Sequence, residues 1–302
     1  MNALLYALVV VLWGTTWIAI SVQGQSEIAA SVAVFWRFFI SAALLFGLLL
    51  LTRRLKSMSL KDHGFCMLQG CCVFGFNFVC FYIAIHYINS GLEAVIFSMA
   101  VLFNAINAKL FFNTPIVARF YPAACLGLLG MLALFWQDLI GTELNRNTLI
   151  GIALCILGTY GFSLGNMISA RHQKQGLDIF NTNAYAMFYG AMLMAMISLG
   201  LQQDFLPAMS VPSLTALFYL AIFGSVIGFT AYFALVGRIG ASQAAYSTLL
   251  FPLVALSIST FWENYQWHWS AVLGVLLILS GNALFFIRKS PKALASKPAQ
   301  SA

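Results

Sequence analysis

An arginine inside an apolar run is the residue in this sequence best able to do chemistry. Arg37 sits about nine residues into a stretch of membrane-spanning length, between Trp36 and Phe38. A central arginine costs about 2.5–3.5 kcal/mol on insertion scales, so carbonyls, hydroxyls, water or a ligand must surround it. No Asp or Glu falls in the middle third of any apolar run to pair with it. Two readings stand side by side. Arg37 is an anchor for a substrate carboxylate or a gate, or it is a structural tie between helices.

The other candidates are uncharged. Trp13 and Trp17 are one turn apart and share a helix face. Asn77, Tyr82, Tyr160, Asn166, Tyr232 and Tyr246 carry polar tips into runs where such groups need partners. With Arg37 they are the expected lining of a cavity for a small amphipathic solute. Belts of interfacial aromatics are the competing home for Trp17, Tyr82 and Tyr246. His86, near the end of an apolar run, is a gate candidate or an interfacial histidine. Pro252 removes a backbone hydrogen bond within a run and is the second gate candidate. Lys109 lies one turn from a run's end and is expected to snorkel to the interface. Glu93 and Glu263 also lie near run ends and are expected to be interfacial.

Catalytic chemistry lacks its residues. There is no HExxH, no glycine-rich phosphate loop and no histidine cluster, so an intramembrane enzyme is not expected. Cys66, Cys71, Cys72, Cys80, Cys125 and Cys155 lie in or beside apolar runs without metal-ligand spacing. They read as packing, with no cofactor, metal or disulfide. Carboxylate relays are the usual route to proton coupling. Their absence at mid-depth points to facilitated diffusion or exchange.

These residues are positioned by membrane helices. Of the 302 residues 62% are hydrophobic and 8% charged, with a mean hydropathy of +0.91, against about 25% charged in a soluble domain. The runs are continuous and about 20 residues long, which excludes a β-barrel. Ten are expected: about 3–22, 28–51, 65–86, 91–113, 117–136, 148–170, 180–201, 213–236, 242–262 and 269–288. Without a basic n-region, the first reads as a retained span and not a signal peptide.

Charge in the short loops sets orientation. Arg53, Arg54, Lys56, Lys61, Arg119, Arg171, Lys174, Arg238, Arg288, Lys289, Lys292 and Lys297 fall on one side. Glu27, Glu93, Asp138, Glu143, Asp204 and Glu263 fall on the other, with Arg146 the one base among them. Both termini are therefore expected in the cytoplasm. The net charge of +7 is explained by topology, so no nucleic-acid partner is expected. Residues 291–302 read as a disordered tail.

Residues 81–113 and 231–263 resemble each other at an offset of about 150, with Tyr82 meeting Tyr232, Ala94 meeting Ala244 and Phe111 meeting Phe261. Each is a helix end, a tight turn, and a helix opened by small residues. The expected architecture is all-α and polytopic: ten transmembrane helices in two inverted five-helix repeats, residues 1–140 and 141–290, with both termini inside.

Further motifs carry a resemblance. Leu12-Trp13-Gly14-Thr15-Thr16-Trp17, Trp36-Arg37-Phe38-Phe39 with Ala42-Ala43-Leu44, and Phe251-Pro252 through Phe261-Trp262-Glu263 with Gly274 and Gly281-Asn282 resemble the drug/metabolite transporter superfamily in its ten-helix EamA-type branch. Leu102 and Asn113 depart from it, standing where a proline and a glutamate are expected. The sharper bend is therefore expected in span 9, not span 4. The resemblance implies a basket of eight helices around a central cavity, with spans 5 and 10 peripheral. It also implies a multi-pass protein of the bacterial cytoplasmic (inner) membrane that exports amino acids or related metabolites by alternating access. Hydrophobic drugs are the alternative cargo, and a non-transporting assembly protein is the alternative role. The expected partners are a small-molecule substrate and the lipid bilayer; the oligomeric state stays open, with a monomer compatible.

Overall fold

Helices make up all the regular structure in the computed structural model, which describes residues 2–24, 26, 28–116, 118–134, 136, 146–206 and 210–286. In chain order they are α1 Asn2–Gly24, α2 Ala30–Leu51, α3 Leu60–Ala84, α4 Ser90–Phe112, α5 Phe120–Leu134, α6 Arg146–Lys174, α7 Ile179–Gly200, α8 Val211–Ile239, α9 Ala241–Trp262 and α10 Trp269–Phe286. Eight are long and apolar enough to cross a membrane; α5 and α10 fall short of that measure over their described residues. Glu27, Asp138, Glu143, Arg288, Lys289, Lys292, Lys297 and the tail 291–302 lie outside the described residues.

Polar residues between the apolar runs start the helices. Side-chain oxygens of Ser59, Asn89, Asp178 and Ser210 accept from backbone N–H groups three residues on, at 3.2, 2.9, 3.0 and 3.3 Å. These N–H groups have no partner within the helix, and the caps supply one. The expected turn at Asn89-Ser90-Gly91 is such a cap. Connections alternate between two ends of the bundle. Arg53, Arg54, Lys56, Lys61, Arg119, Arg171, Lys174 and Arg238 gather at one, the basic end; Glu93, Asp204, Glu263 and Arg146 gather at the other, the acidic end.

Two kinds of irregularity recur at the same offset of about 150 residues. Wide π turns occupy Gly70–Phe76 in α3 and Leu220–Ile227 in α8. Breaks fall at Ser98–Met99 in α4 and at the 3₁₀ segment Ala245–Leu249 in α9. The sharper bend is expected in span 9 alone of the pair; both helices are interrupted, α9 over the longer stretch. Pro252 sits in the first turn of the piece that follows. No intrahelical N–H is needed there, so it starts a helix instead of kinking one.

Packing repeats as well. Helix α3 lies on α6 as α8 lies on α1; α4 lies on α6 as α9 lies on α1; α2 pairs with α7, and α5 with α10. Exchanging the two halves maps this pairing onto itself. Small residues set the distances. A Cβ on Gly165 would overlap Val73 Cγ2 on α3, and one on Gly228 would come 2.5 Å from Trp13 Nε1 on α1.

Candidate functional site

Where α1, α2, α3, α4, α8 and α9 meet, Trp13, Thr16, Trp17, Ile20, Arg37, Asn77, Phe78, Phe81, Phe97, Phe229 and Phe251 enclose a cavity. It measures about 30 Å³, room for one or two waters. Aromatic rings form its walls. Trp13 stands 4.7 Å from Tyr232, 4.9 Å from Phe229 and 5.8 Å from Phe162, and Trp17 stands 5.1 Å from Phe81 and 5.6 Å from Phe97, centroid to centroid.

Arg37 is 1% exposed. Its Nε donates to Ser225 Oγ at 2.9 Å, and its Cζ lies 4.2 Å from the Phe78 ring centroid and 5.2 Å from that of Phe38. Ring faces attract a desolvated cation by about 2 kcal/mol, which offsets part of the burial cost. The Arg37 Nη1 has no hydrogen-bond partner, and no described acid pairs with it. Two more lining atoms are orphaned, Trp17 Nε1 and Asn77 Oδ1. An unmet buried polar atom costs about 1–3 kcal/mol. Three at one small cavity leave two donors and one acceptor free for a ligand.

The π turn of α8 helps to build this wall. Trp13 Nε1 donates to Gly224 O at 3.2 Å and Ser41 Oγ to Ala221 O at 3.0 Å. Arg37 meets Ser225 in the same turn. A π turn leaves the regular helix ladder, so its carbonyls can be met from outside; such turns are frequent at functional sites.

The repeat-related tyrosines lie on opposite sides of the cavity. Tyr82 lies beside Arg37 towards the acidic end, and its hydroxyl donates to Gln23 Oε1 at 2.7 Å. Towards the basic end, the Tyr232 hydroxyl and Asn104 Oδ1 accept from Asn166 Nδ2 at 3.1 and 3.2 Å. Beyond that seal a vestibule of about 340 Å³ opens at the basic end, lined in part by Phe112, Gln173, Lys174 and the turn Gly237–Ser242.

Of the residues the sequence nominates, Trp13, Trp17, Arg37 and Asn77 line the cavity, while Tyr82, Asn166 and Tyr232 close its two sides. Tyr160 is not brought there. It is 41% exposed and its ring packs edge-on against Phe103 at 5.4 Å, because its position on α6 faces outward. Tyr246 is buried, but against Val101 and Tyr6 in a separate cluster. His86 is exposed at the end of α3. Pro252 is buried beside the lining residue Phe251. Lys109 is exposed at the basic end, as snorkelling requires. Glu93, expected near the interface, lies at the acidic end but is 0% exposed within the protein.

Sequence reasoning missed Phe78, Phe81, Phe97, Phe229 and Phe251. With 27 phenylalanines in the chain, no spacing marks these five. It also missed Gln23, whose partner is known only once α1 and α3 are packed together.

Comparison with known proteins gives a consistent picture. Residues 1–136 and 150–287 match the EamA-like transporter family. The chain is 22% identical over 286 residues to the uncharacterized transporter YoaV of Bacillus subtilis (strain 168), covering 93% of this chain and 96% of the relative. It is 23% identical over 294 residues to protein PagO of Salmonella typhimurium (strain LT2), with 95% and 93% covered. A solved crystal structure superposes with a TM-score of 0.73 at 14% identity, covering 94% of this chain and 96% of the other.

Proposed function

Since this chain belongs to the EamA-like transporter family and is a multi-pass membrane transporter, we propose that it exports small amphipathic solutes bearing a carboxylate, amino acids or related metabolites. Transport proceeds by alternating access through the cavity around Trp13 and Arg37. The basic end faces the cytoplasm under the positive-inside rule. Five helices in each half then set the second half upside down relative to the first. The observation that carries the reading is the set of orphaned atoms: Arg37 Nη1 and Trp17 Nε1 suit a carboxylate, and Asn77 Oδ1 suits an ammonium or hydroxyl donor. The basic-end vestibule supplies the approach from inside.

The aromatic walls favour a second reading, export of hydrophobic compounds. Metabolite efflux from bacterial cells with and without the protein separates the two, since only the first enriches carboxylates outside. Within the cavity, Trp13→Ala should cut flux of the identified solute at least tenfold, a truncation cost of about 2 kcal/mol or more for a buried aromatic anchor. Tyr160→Ala should leave flux within about twofold at equal expression. Equal losses in both variants would remove Trp13 from the binding site.

A further inference from the structure

Glu93 plays no part in the cavity just described, yet it is the most deeply buried acid among the described residues. It lies in the first turn of α4 at the acidic end, is 0% exposed, and has no hydrogen-bond partner on either carboxyl oxygen. Desolvating an ionised carboxylate without a partner is prohibitive, so such a group sits there only as the uncharged acid.

The surroundings are a closed contact between α4 and α9. Glu263 Oε2 accepts from Ser90 Oγ and from Ser259 Oγ, each at 2.7 Å. The two hydroxyls are 3.3 Å apart. At Gly91 the helices approach so closely that a Cβ would come 2.9 Å from Leu256 Cδ2 and 3.0 Å from Ser259 Oγ.

The titratable groups around Glu93 are few. From α9 comes Glu263, near enough for its charge to act on Glu93. From α6 comes Cys155, beside Glu93 and next to Cys80 of α3, with Arg146 exposed at the start of α6. Helix α1 carries only Tyr6, at its other end. His86 and His268, in the connections at this end, are exposed. No described cation faces Glu93, and no described group of three or more His, Cys, Asp or Glu could hold a metal ion.

We propose that Glu93 is a proton-binding site that locks the acidic-end mouth, so that separating α4 from α9 there hydrates the carboxyl group and releases one proton to water. The step is Glu93–COOH to Glu93–COO⁻ plus H⁺, and closure reverses it. The inference needs the mouth to open and does not depend on which solute is carried. Its sign follows from linkage. The closed state holds one proton more than the open state, so opening is favoured as pH rises and suppressed as it falls. The expectation of uncoupled exchange rests on the absence of acids at mid-depth; Glu93 lies in the first turn of α4, so the coupling proposed here acts at the mouth and not at mid-depth.

Cys155 reports on the mouth. In the full chain with the other five cysteines replaced, reconstituted in liposomes, Cys155 is reacted with a membrane-impermeant maleimide across a pH series. The same is done with Glu93→Gln, whose amide keeps the shape and cannot ionise. Because the Glu93 charge also acts on the Cys155 thiol, each rate is divided by the thiolate fraction titrated for that protein, and the ratio of the corrected rates isolates the mouth. With Glu93 present, labelling should outpace the variant by up to about tenfold for each unit of rising pH, the limit for one linked proton. At acid pH the rates should converge. A ratio that stays flat, or no labelling of Cys155 at any pH, overturns the proposal. A ratio that follows sodium concentration at fixed pH also overturns it, in favour of a cation site. Infrared spectra provide a check independent of opening: the carbonyl stretch of a protonated carboxyl group should be present in the parent at neutral pH and missing from Glu93→Gln. Identical spectra would sink the idea.

Discussion

Replacing Arg37 with methionine should reduce transport of carboxylate-bearing solutes by roughly 30- to 5,000-fold while the helical bundle still assembles. Losing one partner of a buried, hydrogen-bonded charge contact costs about 2–5 kcal/mol, and about 1.4 kcal/mol corresponds to tenfold. Assembly should survive because methionine removes a buried cation that no described acid balances, and exchanging buried charge for apolar volume is often neutral or stabilising. The groups that lose Arg37 are the Ser225 hydroxyl, which can turn to a carbonyl of its own helix, and the Tyr82 hydroxyl, which keeps its bond to Gln23. Arg37→Lys tests the geometry. It keeps the charge, loses the planar fork, and should fall between parent and methionine. Uptake into proteoliposomes with matched protein content reads all three. If Arg37 were only a tie between α2 and α8, methionine would lower thermal stability and depress every solute alike. Retention of carboxylate flux in the methionine variant would end the assignment.

The largest expected effect on stability belongs to a glycine. Gly70→Ala should destabilise the protein by about 1–3 kcal/mol, the usual range for overpacking. A Cβ there would overlap the Ala186 carbonyl oxygen and come 2.8 Å from Gly190 N. Both atoms belong to the α7 backbone, and neither can rotate away. Helices α3 and α7 would have to separate, at the mouth of a π turn that has its counterpart in α8. The control is Gly47→Ala in α2, where a Cβ would meet nothing within 4 Å. There the gain in helix propensity, up to about 1 kcal/mol, should raise stability. Thermal unfolding in detergent by intrinsic tryptophan fluorescence compares the pair. Equal shifts of the two variants would show that close packing of α3 on α7 is not limiting.

What the sequence made legible follows from the kinds of signal it carries. The apolar runs are long, and they located eight spans and the two shorter helices α5 and α10. Residues rare in apolar runs were readable one at a time, so Arg37, Asn77, Trp13 and Trp17 were found at the cavity. Tyr160 was nominated by the same logic and faces outward, because depth along a helix says nothing about its rotation around the axis. Glu93 was misjudged for the opposite reason. A place in the first turn of a helix looks like an exposed end, until Ser259 and Glu263 arrive from distant positions to meet Ser90 there. The π turns left no signal: Gly70–Phe76 reads as any other apolar helix with two glycines. The break in α4 was hidden too, since its Ser98 and Met99 are ordinary helix residues.

The size of the central cavity bears on any measured affinity. At about 30 Å³ it cannot contain a solute the size of an amino acid, so the conformer described here is not the one that binds. Binding therefore requires a wider conformer, and the apparent dissociation constant is the intrinsic one divided by the fraction of protein that adopts it. A weak Kd for this protein would then measure how seldom the rings part, not how poorly Arg37 holds a carboxylate. Trimming a wall residue that has no polar atom to offer the solute, such as Phe251, should for that reason tighten apparent binding.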